Sequence, residues 1–264
     1  VVALAGAFAV LAVLPLDTQS LRSSAAASSP ARSYDDAVAR IEAVRTEEAA
    51  LPLNPRCRST LLTHGRKMAR VVVFFHGLTN CPAQAEQLAA KLFALGYNVY
   101  LPRIPQHGDA DQMSLALADL TAEQMVAVGN TTTDIAQGLG DEVVISGLSA
   151  GGIIAGWIGQ HRADADQAIA IAPFLSPNLI PGWANHAATA LLLNAPNTMV
   201  WWDPATRDNP PGMTYAYPRY ATHGLAQALR LSMALMDDAA ARAPLSPRLG
   251  MLINEADDAV SNPK

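Results

Sequence analysis

Charge is scarce in this chain. Only 16% of its 264 residues are Asp, Glu, Lys or Arg, and the formal net charge is −5. A weakly charged, acidic chain offers no basic patch for phosphate backbones, which excludes a nucleic-acid partner. No two of the six histidines stand at ligand spacing and the carboxylates do not cluster with them, so neither a metal nor another cofactor is expected. Repeats at solenoid period are missing, which excludes a stacked array. The longest uncharged, almost wholly apolar stretch, residues 1–16, is short for a bilayer span. Cysteine is limited to Cys57 and Cys81, enough for one disulfide.

Apolar residues, by contrast, make up 50% of the chain, enough to bury a full core as a single domain. Residues 1–16 carry no charge and are broken by Pro15, and the small, polar residues 20–33 follow them. That length suits the hydrophobic region of a signal peptide, and Ala25-Ala26-Ala27 satisfies the small-x-small cleavage pattern. The chain opens without Met and without basic residues, so the stretch is expected to be the remainder of a targeting signal. An uncleaved anchor, which would bring membrane association, and a buried helix are the alternatives. Residues 1–33 are read as a signal-like segment and linker, and residues 34–264 as the folded domain. The protein is then exported to the periplasm or beyond, or anchored if the segment is retained. Export favours a Cys57–Cys81 bridge pinning the loop after strand 71–75, with two buried free thiols as the alternative.

Residues 34–50 have helical periodicity. Residues 51–65 carry Pro52, Pro55 and Gly65 around Leu61-Leu62, the pattern of a short edge hairpin. Beyond them, strand-like runs at 71–75, 98–101, 143–146, 168–172 and 249–254 alternate with helix-like runs at 83–95, 121–139, 153–161 and 225–242. Such alternation predicts a mostly parallel sheet with helices on both faces. Residues 174–222 break the rhythm with seven prolines, three tryptophans and three tyrosines. A segment this long is expected to be a cap over the C-terminal edge of the sheet, where open α/β folds bind ligands, rather than peripheral decoration.

The sharpest motif is Gly147-Leu148-Ser149-Ala150-Gly151, between the apolar run Val143-Val144-Ile145-Ser146 and Ile153-Ile154-Ala155-Gly156-Trp157-Ile158. A serine on so tight a strand-to-helix bend needs small neighbours. Its hydroxyl is then lifted above the sheet and the amide hydrogens of the next helix face the reacting group. His76-Gly77-Leu78-Thr79 follows the 71–75 strand directly, and Leu101-Pro102-Arg103-Ile104-Pro105-Gln106-His107-Gly108 and Glu255-Ala256-Asp257-Asp258-Ala259-Val260 lie farther along.

From about residue 70 onward these motifs resemble α/β-hydrolases of the monoacylglycerol lipase and bacterial carboxylesterase kind. The resemblance implies an α/β-hydrolase fold with an inserted cap, and Ser149 as nucleophile. The backbone N–H groups of Leu78 and Ala150 become the oxyanion hole. His76 and His107 take structural places in their turns, Gln106 standing where that family usually has glycine. Asp257 fits the family's acid, in a pattern resembling D-x-x-V, with Asp258 as competitor. The histidine should follow the acid in the chain, yet none of the seven residues after Asp257 is His. Either the sequence stops before the last strand and helix, the reading preferred here, or the triad is Ser149–Asp203–His223. Under the first reading Ser149 lacks its base and the chain as given should be nearly inactive. The implied activity is hydrolysis of carboxylic esters with an apolar acyl chain through an acyl-enzyme. The alternatives are an amidase or peptidase on the same scaffold, or a catalytically dead binding module.

Overall fold

The computed structural model describes residues 14–24, 28–176, 182–207 and 215–254. In chain order its elements begin with helices α1 (Gln19–Ser24) and α2 (Tyr34–Ala49), strands β1 (Thr60–Leu62) and β2 (Met68–Phe75), helix α3 (Glu86–Ala94) and strand β3 (Asn98–Leu101). Helix α4 (Ala122–Leu139), strand β4 (Gly140–Leu148), helix α5 (Ala150–His161) and strand β5 (Gln167–Ile171) follow. The remainder is α6 (Asn185–Asn194), β6 (Met199–Trp201), β7 (Arg219–Ala221), α7 (Thr222–Ala241) and β8 (Leu249–Leu252).

One six-stranded sheet organises the molecule in the order β1-β3-β2-β4-β5-β8, parallel throughout except for β1. The β-branched and aromatic run 71–75 occupies a central strand because all five of its residues are buried. Val71, Val73 and Phe75 point toward α2, α4, α5 and α7, packing with Ile41, Met125, Ile154 and Leu231. Phe74 points the other way, onto Ala89 of α3 and Val99. Helices therefore cover both faces, as the alternation of periods predicts. Each fully buried side chain of this size contributes roughly 1.5–3 kcal/mol of transfer free energy. Thr121 starts α4 through a capping box: its hydroxyl accepts from Gln124 N (3.1 Å), and Gln124 Oε1 accepts from Thr121 N (3.0 Å).

Three expectations change. Leu61 and Leu62 do not form a hairpin; β1 pairs antiparallel with β3 at the sheet edge, Leu61 opposite Tyr100. The buried Asn98 amide diverts the chain there, accepting from His64 N (2.9 Å) and donating to the carbonyls of Arg66 and Leu139 (2.8 Å each). Residues within the 20–33 stretch are packed on the domain: Leu21 is fully buried, and Ala31 N–H donates to the Asp134 carbonyl (2.8 Å). The 174–222 segment also holds more regular structure than its composition suggests, namely α6 and an antiparallel β6–β7 ribbon with Met199 opposite Ala221. Strands of three residues are too short to leave a period in the sequence. Trp202 Nε1 donates to Thr79 Oγ1 (2.9 Å) and Tyr217 N to the Thr79 carbonyl (2.8 Å), while Asp109 N donates to Tyr217 Oη (2.8 Å). The segment thus lies against the loops that leave β2 and β3. Among the described residues no helix is long and apolar enough to cross a membrane.

The loop after β3 contains Gln106 at φ 66° and Gly108 at φ 85°. The left-handed region costs a residue with a Cβ about 1–2 kcal/mol, against roughly 0.5–1 kcal/mol of extra chain entropy for glycine. Gln106→Gly should therefore stabilise the protein slightly, raising Tm by roughly 2 °C in a thermal melt followed by circular dichroism; a lower Tm would contradict this.

Candidate active site

Sterics build the centre of the site. A Cβ on Gly147 would lie 2.2 Å from the Gly151 carbonyl oxygen, and one on Gly151 would lie 2.2 Å from the Phe75 carbonyl oxygen. Only glycine lets the strand turn straight into α5 this tightly. The residue at the apex, Ser149, takes φ 56° and ψ −113°, a strained conformation of the kind found where backbone geometry serves chemistry. Ser149 N donates to the Ile171 carbonyl (3.0 Å), and the Ser149 carbonyl accepts from Phe174 N (3.2 Å), which ties the bend to β5 and the segment after it. Serine at a helix N-cap normally spends its hydroxyl on a backbone N–H. Ser149 makes no such bond, and among the described residues its Oγ has no hydrogen-bond partner.

Facing Ser149 is the turn after β2. A Cβ placed on Gly77 would sit 3.7 Å from Ser149 Cβ, the closeness of van der Waals contact. Gly77 is held on both sides. Its N–H donates to Gln84 Oε1 (2.9 Å), and its carbonyl accepts from His76 Nδ1 (2.9 Å) and Asn80 N (3.0 Å). Ile104 N donates to His76 Nε2 (3.1 Å), which assigns the ring proton to Nδ1. In a trans peptide C=O and N–H point in opposite directions. Fixing the Gly77 carbonyl therefore fixes the Leu78 N–H, and among the described residues neither Leu78 N–H nor Ala150 N–H has a hydrogen-bond acceptor. Two such donors, one at the N-terminus of α5, are suited to a developing oxyanion.

The two histidines near this loop are structural supports. His107 places Nδ1 2.8 Å from the Pro105 carbonyl and Nε2 against the Leu78 carbonyl, its ring edge-on to His76 at 4.9 Å. Burial pushes the His107 pKa down to about 4, the two carbonyls opposing the shift only in part. His76 is lowered well below the ordinary range, first by burial and then by its neighbour His107. Burial disfavours the charged form of both, and every ring nitrogen faces a backbone group.

Cys57 and Cys81 form a disulfide, their Cα atoms 5.1 Å apart. Cys81 precedes the short turn Pro82–Ala85 that carries Gln84, so the bridge anchors the support of Gly77. Asp257 and Asp258 lie outside the described residues. Of the alternative trio, His223 directs Nε2 to the Ala195 carbonyl (2.7 Å), and Asp203 accepts from Ala205 N (2.9 Å). Ser149 opens into a cavity of about 160 Å³ with Leu78, Phe174, Trp202 and Leu225 as apolar walls and Thr79, Asn80 and Gln84 as the polar side. A larger cavity of about 290 Å³ between α5, α7 and β8 has no nucleophile in its wall. Sequence reasoning missed Gln84 and placed Phe174 and Trp202 only within the expected cap, none of the three belonging to a motif.

Two expectations follow from these contacts. Gly151→Ala drives a methyl group into backbone that cannot yield, so it should cost at least about 2 kcal/mol in a urea titration. The histidines should make the fold acid-sensitive. The unfolded chain binds a proton at His107 near pH 6.5 and the native state only near pH 4, so this contribution is complete above pH 6.5 and is lost as pH falls toward 4. The loss amounts to about 3 kcal/mol for His107, with His76 adding in the same direction. Urea midpoints measured from pH 7 to pH 4 should fall, and His107→Gln should flatten the slope.

A model described as the alpha/beta hydrolase family matches residues 72–263. None of the curated proteins compared with the chain matches it. Among solved structures, one from work on two metagenome-derived lipolytic enzymes, LipS and LipT, is similar at TM-score 0.61 and 18% identity, with 79% of this chain and 80% of that chain covered. A monoacylglycerol lipase from Paleococcus ferrophilus is similar at TM-score 0.54 and 15% identity, with 74% of this chain and 76% of that one covered. At these identities the structural likeness concerns the fold. The family match spans most of the chain and takes in the second half of β2, the bend at Ser149 and the strand after the inserted segment, so the chain belongs to the alpha/beta hydrolase family.

Proposed function

We propose that the protein is a serine hydrolase that cleaves carboxylic esters with an apolar acyl chain through an acyl-enzyme on Ser149. The observation that carries this reading is the uncommitted Ser149 hydroxyl, on a bend at φ 56°, beside a loop whose Leu78 N–H is aimed by its supports. Ser149 Oγ attacks the ester carbonyl. The oxygen turns anionic and is held by Leu78 N–H and Ala150 N–H, and the alcohol leaves with a proton. Water then adds to the acyl-enzyme and the carboxylic acid departs. Asp257 is proposed as the acid that orients the imidazole of the general base. The lipolytic enzymes of similar fold support an ester substrate, and the apolar walls of the cavity support a greasy acyl group. Export is proposed from the leader-like residues 1–16, and the Cys57–Cys81 disulfide supports an oxidising compartment.

Hydrolysis of p-nitrophenyl esters tests the reading. In a chain that carries its general base, Ser149→Ala should lower kcat/KM at least ~10³-fold with an unchanged thermal melt. The butyrate should be preferred over the palmitate, because the cavity holds about 160 Å³. Undiminished turnover in the variant would refute the mechanism. Faster cleavage of the matching anilide would point to an amidase, and binding of the ester without turnover to a binding module.

A further inference from the structure

Two clusters of buried charge on the body of the protein are completed by residues that precede Tyr34. On α7, Arg230 is only 7% exposed; its Nε donates to the Asp17 carbonyl (2.7 Å), and its Nη2 reaches Ser20 Oγ (3.0 Å) and Glu123 Oε1 (2.7 Å). Asp238, 8% exposed, accepts from Arg22 Nε (2.8 Å) on one oxygen and faces His161 Nε2 (2.8 Å) with the other. Leu21, fully buried, sits between these polar contacts and belongs to the main core cluster.

The second cluster lies farther along the same face. Asp134 accepts from Ser29 N (2.8 Å) and Ser28 Oγ (3.2 Å), and Arg162 Nη2 bonds both Ser28 Oγ (3.0 Å) and Asp134 Oδ1 (2.6 Å). The body is shaped for this segment as well. Gly138 stands inside α4, where glycine costs about 1 kcal/mol relative to alanine. A Cβ there would meet the Ser33 carbonyl oxygen at 2.4 Å and Ala31 Cβ at 3.1 Å.

An apolar anchor flanked by charge-assisted bonds, entering a groove opened by a costly glycine, is how a permanent part of a fold is built. Removing residues 17–27 would empty the Leu21 pocket and strip buried Arg230 and Asp238 of partners, a change expensive in low-dielectric surroundings. We infer that the face formed by α4, α5 and α7 is a docking site for the chain's own residues 17–22 and 28–33. This rests on the proposed export: processing that frees the domain from the leader-like residues 1–16 then cuts ahead of Asp17, and not at Ala25-Ala26-Ala27. This inference is independent of the role given to Ser149.

The test compares proteins beginning at Asp17 and at Ser28. The shorter one should melt lower by at least about 5 °C, and a synthetic peptide of residues 16–27 added in excess should restore part of the loss. Equal melting temperatures would overturn the inference. Should the shorter protein fail to fold, Leu21→Ala and Arg230→Met in the longer one decide: each should lower Tm by roughly 5 °C or more, and no change in either would overturn it. Intact-mass analysis of the mature protein recovered from the periplasm or medium should place the N-terminus at or ahead of Asp17. A mature chain starting at Ser28 would refute the proposal.

Discussion

Where β4 turns into α5, the backbones of Gly147 and Gly151 and the end of β2 meet at distances that leave no room for a methyl group. The rest of the site depends on that contact. Because β2 and β4 are neighbours in register, Phe75 opposite Gly147, the loop leaving β2 must pass beside the serine at the apex of the bend. The same bend starts α5, so a helix N-terminus with unspent amide hydrogens arrives at the same point. The positive φ of Ser149 is unfavourable locally. It persists because the strand before it and the helix after it are anchored by buried Val143, Ile145, Ile153, Ile154 and Trp157, whose packing far outweighs a strain of one to three kcal/mol.

Around that point the protein uses neutral polar groups to hold backbone in place. His76 secures one carbonyl, Gln84 the N–H of the same residue, and His107 the next carbonyl. Burial disfavours the charged form of both imidazoles. The disulfide acts behind them, tying the turn that bears Gln84 to the chain ahead of β1. A histidine enclosed on both ring nitrogens by backbone cannot also accept a proton from Ser149, and this separates the histidines that shape the site from a base that would serve it.

The inserted segment and the N-terminal segment attach to the sheet in a shared way, through a few partly buried polar contacts between residues far apart in the chain. Trp202 and Tyr217 grip Thr79 in the loop beside the nucleophile. Arg230 and Asp238 grip residues 17–22 on the helical face. One attachment supplies a wall of the cavity, and the other completes the core.

Local sterics and periodicity made much of this legible. Small residues around Ser149, a β-branched run at 71–75 and the alternation of strand and helix each act within a few residues, so the sequence alone determined the parallel sheet, the bend and the loop opposite it. It left two options for the cysteines, and the 5.1 Å approach of their Cα atoms, a matter of folding, chose between them. The pairing of β1 with β3, the support of Gly77 by Gln84, the contact of Trp202 with Thr79 and the docking of Leu21 were decided by tertiary structure. Each joins residues that no local pattern relates, through strands too short to show a period or through single side chains whose partners become neighbours only after the core has closed.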